Sequence, residues 1–294
     1  MSKIVVIGSS SMDLVVTAPK RPIAGETIIG ESFKTIPGGK GANQAVASSR
    51  LGAEVIMIGR IGDDNYGEVI LENLQKNNVD TKYVEPVTGE KSGTAHIILA
   101  EDDNSIIVVK GANDYVTPEY VEKALDVIKH ADIVLIQQEI PEETVEYVAN
   151  ICNELNVSLL LNPAPARRLS QNIIDKARYI TPNEHEASLL FEGLTKEEAL
   201  RKYPNKLFIT EGKNGVRYFN GQSEVLIPSY QVEVVDTTGA GDTFNAAFAV
   251  ALSERKNIDD SIRFANRAAS LSVTKFGAQG GMPIRTEVEG SMEA

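Results

Sequence analysis

The chain has 294 residues, of which 42% are apolar and 24% are charged, values typical of soluble globular proteins that exclude a largely disordered chain. Its formal net charge of -12 argues against nucleic acid or an anionic membrane as the main partner. Cys152 is the only cysteine, which excludes an intramolecular disulfide and indicates a structural thiol rather than a nucleophile. No apolar run has the length of a signal-peptide core or a membrane span, so we expect a cytoplasmic protein.

The first elements combine one buried strand with β-rich stretches. Residues 3–8, KIVVIG, are short, β-branched and closed by glycine, which predicts a buried parallel strand. The chain continues as SSSMDLVVTAP and lacks the G-x-G-x-x-G turn of a dinucleotide-binding fold. Residues 13–36 stay β-like, and a second β-rich stretch, residues 90–111, predicts a hairpin around Asp102–Asn104.

The later part of the chain predicts a hairpin, a strand and two helices. The dipeptide Asn220-Gly221 lies between two apolar runs, which is typical of a hairpin with a type I′ turn. Residues 230–236, YQVEVVD, predict a strand. The remaining pattern predicts helices over residues 240–254 and 258–275.

The order of these elements predicts the fold class. Strands that alternate with helices indicate an α/β fold, a three-layer sandwich with a mainly parallel central sheet covered by helices on both faces. The two β-rich stretches fall outside this alternation. We expect residues 1–294 to form one domain, in which residues 13–36 and 90–111 pair as a small β-sheet lid over the site.

The segment DTTGAGDTFNAAF, residues 236–248, places small residues and an acid directly before an apolar, helix-like run. A helix N-terminus carries free N–H donors and a partial positive charge, which attract phosphate. Asp242 is then either a plain helix N-cap or a general base that accepts a hydroxyl proton beside a transferring phosphoryl group. The segment alone leaves both interpretations open.

A second glycine-rich segment, PGGKGANQA, covers residues 37–45. It is not a phosphate-binding P-loop, because neither Ser nor Thr follows Lys40. Gly38 and Gly39 permit close contact with a small ligand, and Asn43 could hold vicinal hydroxyls because an amide both donates and accepts. The alternative is an ordinary loop before a helix.

Two shorter segments carry weaker signals. In TPNEHEA, residues 181–187, Asn183 and Glu186 share one face of a helix turn, which suits the ordering of Mg²⁺ waters. A capped helix start explains the same pattern. His185 has no paired His or Cys, which argues against zinc. The segment ITEGKNG, residues 209–215, predicts a strand that runs into a turn beside a nucleotide.

Taken together, these segments resemble the signatures of the ribokinase family of carbohydrate kinases. The resemblance is carried by GGKGANQA and DTTGAGDTFNAA, with NPAPAR at residues 162–167, TPNEHEA, and VTKFGAQ at residues 273–279. It covers essentially the full chain. It implies that the γ-phosphoryl group of ATP is transferred to a sugar hydroxyl, for a ribose substrate the 5-hydroxyl of D-ribose.

The resemblance also implies roles for individual positions. The catalytic group would be Asp242 as general base, with Gly239, Ala240 and Gly241 as an anion hole. The sugar would contact Ser11, Met12, Asp13, Gly38, Gly39, Lys40, Gly41, Asn43, Glu139 and Asp242. ATP would contact Asn183, Thr210, Gly212, Gly215, Gly241 and Asn266. K⁺ would be held by Asp236, Thr238, Ser272, Lys275, Gly277 and Gly281, and Mg²⁺ by Glu186 through water.

Two features depart from the family pattern. Ser11 stands where the family usually has Asn, two residues before the sugar-contacting Asp13. A hydroxyl is shorter than an amide, so the selectivity between ribose and 2-deoxyribose is open. The stretch LTKEEALRKYPNKLFIT, residues 194–210, is shorter than usual, which predicts a trimmed peripheral helix and intact chemistry.

Two other functions fit the same residues. One is a kinase of this family that acts on 2-deoxyribose or a nucleoside. The other is a sugar-binding regulator without catalysis, against which the intact Asp242 and its Gly-Ala-Gly turn argue. A lid with open edges predicts a homodimer formed through the lid, and we expect no nucleic-acid or membrane partner.

Overall fold

The computed structural model describes residues 2–101 and 103–292. Its strands are β1 (Lys3–Ile7), β2 (Ser11–Thr17), β3 (Ser32–Gly38), β4 (Glu54–Gly62), β5 (Val79–Val87), β6 (Gly93–Ala100), β7 (Asp103–Val109), β8 (Ile133–Ile136), β9 (Ser158–Leu161), β10 (Tyr179–Ile180), β11 (Phe208–Thr210), β12 (Val216–Phe219) and β13 (Glu224–Ile227). Its α-helices are α1 (Lys40–Arg50), α2 (Asn65–Lys76), α3 (Pro118–Glu122), α4 (Leu125–Lys129), α5 (Glu142–Glu154), α6 (Gln171–Lys176), α7 (Glu184–Leu190), α8 (Lys196–Lys202), α9 (Ala240–Ser253), α10 (Ile258–Ser272), α11 (Ala278–Gly281) and α12 (Arg285–Met292).

Six parallel strands form the central sheet, in the order β10-β9-β8-β1-β4-β5. The predicted first strand is its β1, and both faces of β1 are buried. Ile4 and Val6 pack into one hydrophobic core. Val5 and Ile7 pack into the other. This burial on two sides explains why β1 is a continuous apolar run rather than an alternating one.

Helices cover both faces of the central sheet. α1, α2, α9, α10 and α12 share the core that contains Ile4 and Val6. α3 to α8 share the core that contains Val5 and Ile7. The predicted α/β three-layer sandwich with a mainly parallel sheet is therefore confirmed. Within the described residues, no helix combines the length and the apolarity that crossing a membrane requires.

The two β-rich stretches pair in a second sheet, in the order β3-β2-β6-β7. β2 is antiparallel to β3 and parallel to β6, so one sheet contains both stretches. It begins at Ser11, two residues before the start that the sequence predicts. The hairpin of β6 and β7 is present, but Asn104 pairs with Leu99 inside it. The predicted turn residue Asp102 lies outside the described residues.

The strand predicted over residues 230–236 is absent, and the last predicted helix is shorter than expected. The N–H groups of Val235 and Asp236 both donate to the carbonyl of Val273, just beyond the end of α10. The N–H of Gly277 donates to the Asp236 carboxylate instead of continuing the helix. Residues 235 and 236 are therefore bonded to the chain just after α10 and not to a strand, and α10 ends at Ser272.

The loop between β12 and β13 has four residues and is not a type I′ turn. A type I′ turn needs a positive φ at both central residues, whereas only Gly221, with φ 96°, has one. Asn220 instead accepts hydrogen bonds at Oδ1 from the N–H groups of Gln222 and Ser223, both at 2.8 Å. This side-chain turn replaces the expected backbone geometry.

Candidate active site

The predicted site residues gather at the carboxyl edge of the central sheet. Residues 9–11 follow β1 and residues 137–139 follow β8. Asn162 follows β9 and Thr181 follows β10, and both line a cavity with the first turns of α1 and α9. In open parallel sheets ligands bind at this edge, where the strand order reverses. Here the order reverses beside β1.

α9 begins behind a glycine N-cap. Gly239 has φ 79°, and no side chain caps this helix. A Cβ at Gly239 would lie 2.7 Å from that of Ala278, so the position requires glycine. The N–H of Ala240 donates to the Thr237 carbonyl at 3.2 Å. The N–H groups of Gly241 and Asp242, in the first turn, have no acceptor within the helix. Asp242 is the third helical residue, so its interpretation as an N-cap is wrong.

The Asp242 carboxyl group is buried and accepts two amide hydrogen bonds. Asn43 Nδ2 donates to its Oδ2 at 2.9 Å. Gln44 Nε2 donates to its Oδ1 at 3.0 Å. Burial raises the pKa of Asp242, while the Lys40 ammonium and the two amides oppose this increase. A carboxylate with a raised pKa and a fixed orientation is suited to general base catalysis.

α1 also starts at a glycine N-cap, Gly39, without a side chain cap of its own. Glu139 caps it from another element, because its Oε2 accepts from the Lys40 N–H at 3.0 Å and from Ser9 Oγ at 2.5 Å. Burial lowers the pKa of the Lys40 ammonium, but nearby carboxylates, first that of Asp242, outweigh it and the net pKa is raised. The segment is a junction between β3, which ends at Gly38, and α1, which begins at Lys40.

The Asp13 carboxylate on β2 lies over Gly38 on the neighbouring strand β3. A Cβ at Gly38 would lie 2.5 Å from both carboxylate oxygens of Asp13, so a larger residue at this position would displace the carboxylate. Ser11 Oγ donates to Asp13 Oδ1 at 3.3 Å. Burial raises the pKa of Asp13 to about 7, the Ser11 hydroxyl opposes this, and neighbouring carboxylates raise it further. Met12, which was predicted beside them, points its side chain into the hydrophobic core.

Two adjoining cavities contain many of the predicted site residues. The predicted residues that line a polar cavity of about 150 Å³ are Lys40, Asn183, Glu186, Thr210, Gly239, Gly241 and Asp242. Those that line a mostly apolar cleft of about 400 Å³ are Thr210, Gly212, Gly215, Ala240, Gly241 and Asn266. Thr210 and Gly241 line both, so the start of α9 stands between the two spaces.

A capping box at the start of α7 brings Glu186 into the polar cavity. Asn183 Oδ1 accepts from the Glu186 N–H, and Glu186 Oε2 accepts from the Asn183 N–H, both at 2.8 Å. The predicted capped helix start is confirmed. Burial raises the pKa of Glu186, and the Asn183 N–H and Lys40 oppose this. Among residues 2–101 and 103–292, no three His, Cys, Asp or Glu side chains are grouped so as to hold a metal ion.

The residues assigned to K⁺ lie on two segments that touch. Asp236 accepts from the N–H of Thr238 at 2.9 Å and from that of Gly277 at 2.8 Å. A Cβ at Gly281 would lie 2.0 Å from the carbonyl oxygen of Ser272. The Lys275 ammonium lies 3.6 Å from the Glu287 carboxylate on α12. Lys275 would therefore bind a cation only through its backbone carbonyl oxygen.

Asn266 borders the apolar cleft through α10. Its Nδ2 donates to the carbonyls of Ile227 and Pro228, at 3.1 Å and 3.0 Å. These bonds fix the chain that leaves β13 against α10. The Asn266 Oδ1 is then the atom of this side chain that is left to meet a ligand in the cleft.

Sequence reasoning missed a chain of buried amides behind Asp242. Gln44 Nε2 also donates to Asn162 Oδ1 at 3.0 Å, and Gln137 Nε2 donates to Gln44 Oε1 at 2.6 Å. On the other side, Gln279 Nε2 donates to Asn43 Oδ1 at 3.0 Å. The available signal was a Gln directly after Asn43 in a helix whose other buried residues are small or apolar.

Known proteins similar to this chain place it in a family. The pfkB family carbohydrate kinase pattern matches residues 1–285. A ribokinase from Bacillus subtilis is 68% identical over 98% of this chain and 99% of the relative, and a deoxyribokinase from Salmonella typhi is 34% identical over 95% of each. A ribokinase from Arabidopsis thaliana, solved in complex with ribose and ATP, is 35% identical and has a TM-score of 0.92 over all of both chains. This chain belongs to the pfkB family of carbohydrate kinases.

Proposed function

We propose that this chain transfers the γ-phosphoryl group of ATP to the 5-hydroxyl of D-ribose, giving D-ribose 5-phosphate and ADP. The family assignment and the full-length similarity to ribokinases support ATP-dependent phosphorylation of ribose. The observation that carries the mechanism is the position of Asp242. Its carboxyl group is buried in the first turn of α9, where the polar cavity adjoins the apolar cleft.

Asp242 is the general base of this proposal. Its carboxylate accepts the proton of the sugar hydroxyl while the hydroxyl oxygen bonds to the γ-phosphorus. The bond from that phosphorus to the β–γ bridging oxygen breaks, and ADP leaves. The first turn of α9, Gly239 to Gly241, and the Lys40 ammonium stabilise the charge on the transferring group.

The sugar occupies the polar region around the start of α1. Asp13 and Glu139 accept hydrogen bonds from its hydroxyls, and Gly38, Gly39 and Gly41 let it approach the backbone. Asn43 binds a hydroxyl in addition to Asp242, and Met12 contributes through its backbone alone. ATP occupies the apolar cleft, with Asn183, Thr210, Gly212, Gly215 and Asn266 around it.

Glu186 fits Mg²⁺ held through water, since its Oε2 bonds the Asn183 N–H and its Oε1 is left as an acceptor. When bound, Mg²⁺ offsets the negative charge of the phosphates. The role of the chain is to keep Glu186 in place through the capping box. Its location beside Lys40 and Asp242 in the polar cavity supports this assignment.

K⁺ would order residues 236–241 without contacting ATP. The Asp236 carboxylate already joins this loop to Gly277, and carbonyl and carboxylate oxygens are suitable ligands. We expect activity to rise with added K⁺ at constant ionic strength. A rate that is the same when a large organic cation replaces K⁺ would count against the assignment.

A second candidate substrate is 2-deoxyribose. Ser11 has a shorter side chain than the amide that the family usually has at this position. Its hydroxyl donates to the Asp13 carboxylate. Ribose remains the main proposal, because a carboxylate acceptor at Asp13 and an amide at Asn43 suit vicinal hydroxyls. We also propose that the β3-β2-β6-β7 sheet acts as a lid over the site and that two chains form a homodimer through it. A cytoplasmic location is part of the same proposal, because the use of ATP favours it.

The decisive experiment measures ADP release with ATP, Mg²⁺ and K⁺ for ribose, 2-deoxyribose, fructose and adenosine. We expect ribose to give the highest kcat/KM, and Asp242→Asn to lower kcat about 10²–10⁴-fold. Asp126→Asn, an exposed acid on α4, is the control and should match the wild type. A higher kcat/KM for another acceptor would show that ribose is not the main substrate. An active Asp242→Asn variant would show that Asp242 is not the general base.

A further inference from the structure

We infer that Gln44 is a positioning residue for this reaction, which holds the Asp242 carboxylate in one orientation. It acts through Asp242 and does not touch the substrate. The inference rests on the proposed role of Asp242 as the base and adds the group that fixes it. Asn162 and Gln137 bond the Gln44 amide in the orientation that leaves its Nε2 as the donor to Asp242.

The hydrogen bonds of Gln44 have a single consistent direction. Its Nε2 donates to Asp242 Oδ1 and to Asn162 Oδ1, both at 3.0 Å. Its Oε1 accepts from Gln137 Nε2 at 2.6 Å. If the amide were flipped, its oxygen would face two acceptor oxygens and its nitrogen would face another NH₂ group. Gln137 Oε1 has no partner among the described residues, so the main constraint is the Asp242 carboxylate, which when ionised can only accept and therefore keeps Gln44 as its donor.

Asn43 and Gln44 each donate a hydrogen bond to a different oxygen of the Asp242 carboxylate. Asn43 donates to Oδ2 and Gln44 to Oδ1 of Asp242, so each oxygen accepts one amide bond and keeps a lone pair for a hydroxyl. Gln44 is fully buried and does not line the polar cavity, unlike Asp242. Gln44 therefore reaches the cavity through its partners, the Asp242 carboxylate and Asn162, and of these two Asp242 is the proposed base.

The hydrogen bond from Gln44 favours the ionised form of Asp242 against nearby carboxylates that disfavour it. Three carboxylates on other elements disfavour its anionic form, those of Asp13 on β2, Glu139 after β8 and Glu186 on α7. The Lys40 ammonium on α1 favours it. Burial raises the pKa of Asp242 most, and the Gln44 amide lowers it by bonding the charged form. Loss of that bond would raise the pKa of the base further.

The test is the pH profile of Gln44→Met, which removes the amide at similar length. We expect kcat at pH 7 to fall about 10- to 100-fold, with little change in the KM for ribose. The acidic limb of kcat/KM should move up by about one pH unit, so that alkaline pH restores part of the activity. Ser48→Ala is the matched control, because Ser48 is buried on the same helix and its Oγ has no partner among the described residues.

A second variant keeps the test decisive if Gln44→Met does not fold. Gln137→Met leaves Gln44 in place but removes the donor to its Oε1, so a smaller shift of the acidic limb in the same direction is expected. Folding of each variant is checked by thermal unfolding. Folded variants that keep the wild-type limb and kcat would overturn the inference. Asp242→Asn is measured in parallel: its inactivity beside unchanged glutamine variants rejects the inference alone, whereas its activity rejects the proposed base.

Discussion

Burial acts in the same direction on both aspartates of the site. It raises the pKa of Asp13, to about 7, and that of Asp242. Between the ordinary value and the raised value, the folded chain binds more protons than the unfolded chain. The free energy of unfolding therefore falls as pH rises through that interval. For Asp13 the interval extends from about pH 4 to about pH 7, so this site costs stability at the pH where it works.

We predict that Asp13→Asn stabilises the ligand-free chain at pH 8 and has little effect at pH 4. The expected gain at pH 8 is on the order of 1–3 kcal/mol, because about three pKa units set an upper limit near 4 kcal/mol. The KM for ribose should rise at least about tenfold, since a carboxylate acceptor is lost. Thermal unfolding at both pH values and steady-state kinetics measure the two effects. An equal stability change at pH 4 and pH 8 would contradict this account.

At the scale of single elements, two helices begin with the same device in different surroundings. α7 starts with the capping box of Asn183 and Glu186, and α8 with that of Thr195 and Glu198. In each, the N-cap side chain and the third helical residue bond each other's N–H groups. The box of α7 lines the polar cavity, whereas that of α8 is exposed. Comparing the two boxes therefore distinguishes an effect of helix capping on stability from an effect on catalysis.

We predict that Asn183→Ala and Thr195→Ala each lower the free energy of unfolding by about 1 kcal/mol, the usual value of an N-cap. Only Asn183→Ala should also raise the KM for ATP and lower kcat, because its helix turn carries Glu186. Chemical denaturation gives the first quantity, and kinetics at several Mg²⁺ concentrations give the second. Equal kinetics in the two variants would show that the first turn of α7 is structural only.

At the scale of the whole molecule, the second sheet leaves apolar surface uncovered. Ile106, Ile107, Val108 and Val109 on β7 are consecutive, and each is about half exposed or more. Consecutive residues of a strand point to opposite faces, so both faces of this edge strand are open. An exposed apolar edge strand favours pairing with another chain. A second copy, seated through its own lid, is the occupant that we propose.

We predict that the protein is a homodimer in solution, with twice the 31.8-kDa mass of one chain. Ile107→Glu, at a side chain that is 68% exposed, should shift it to monomer because a charge would be buried at the interface. Light scattering coupled to size-exclusion chromatography measures the mass. Val69→Glu on α2, at a residue 45% exposed, is the matched control and should remain dimeric. A monomeric wild type would refute the proposed dimer.

Features set by near neighbours were predictable from the sequence. The apolar run of β1, the alternation of strands and helices, the glycine-rich starts of α1 and α9 and the cap of α7 depend on residues a few positions apart. The strand predicted over residues 230–236 failed because a strand also needs a partner, and the local pattern does not contain one. Likewise, the composition of the segment SSSMD does not reveal that Met12 points to the core while Asp13 lies over Gly38.

The sequence by itself thus determined the fold class and the two segments in which we propose the chemistry, because hydrophobic periodicity and glycine placement are local properties. Only the tertiary structure decided how these segments meet. Gln44 and Asp242 are 198 positions apart, and Asn43 and Gln279 are 236 apart, yet each pair shares a hydrogen bond. Such partners depend on the order of the strands and on which helices share a face. Those choices are made by packing the whole chain, and no short segment contains them.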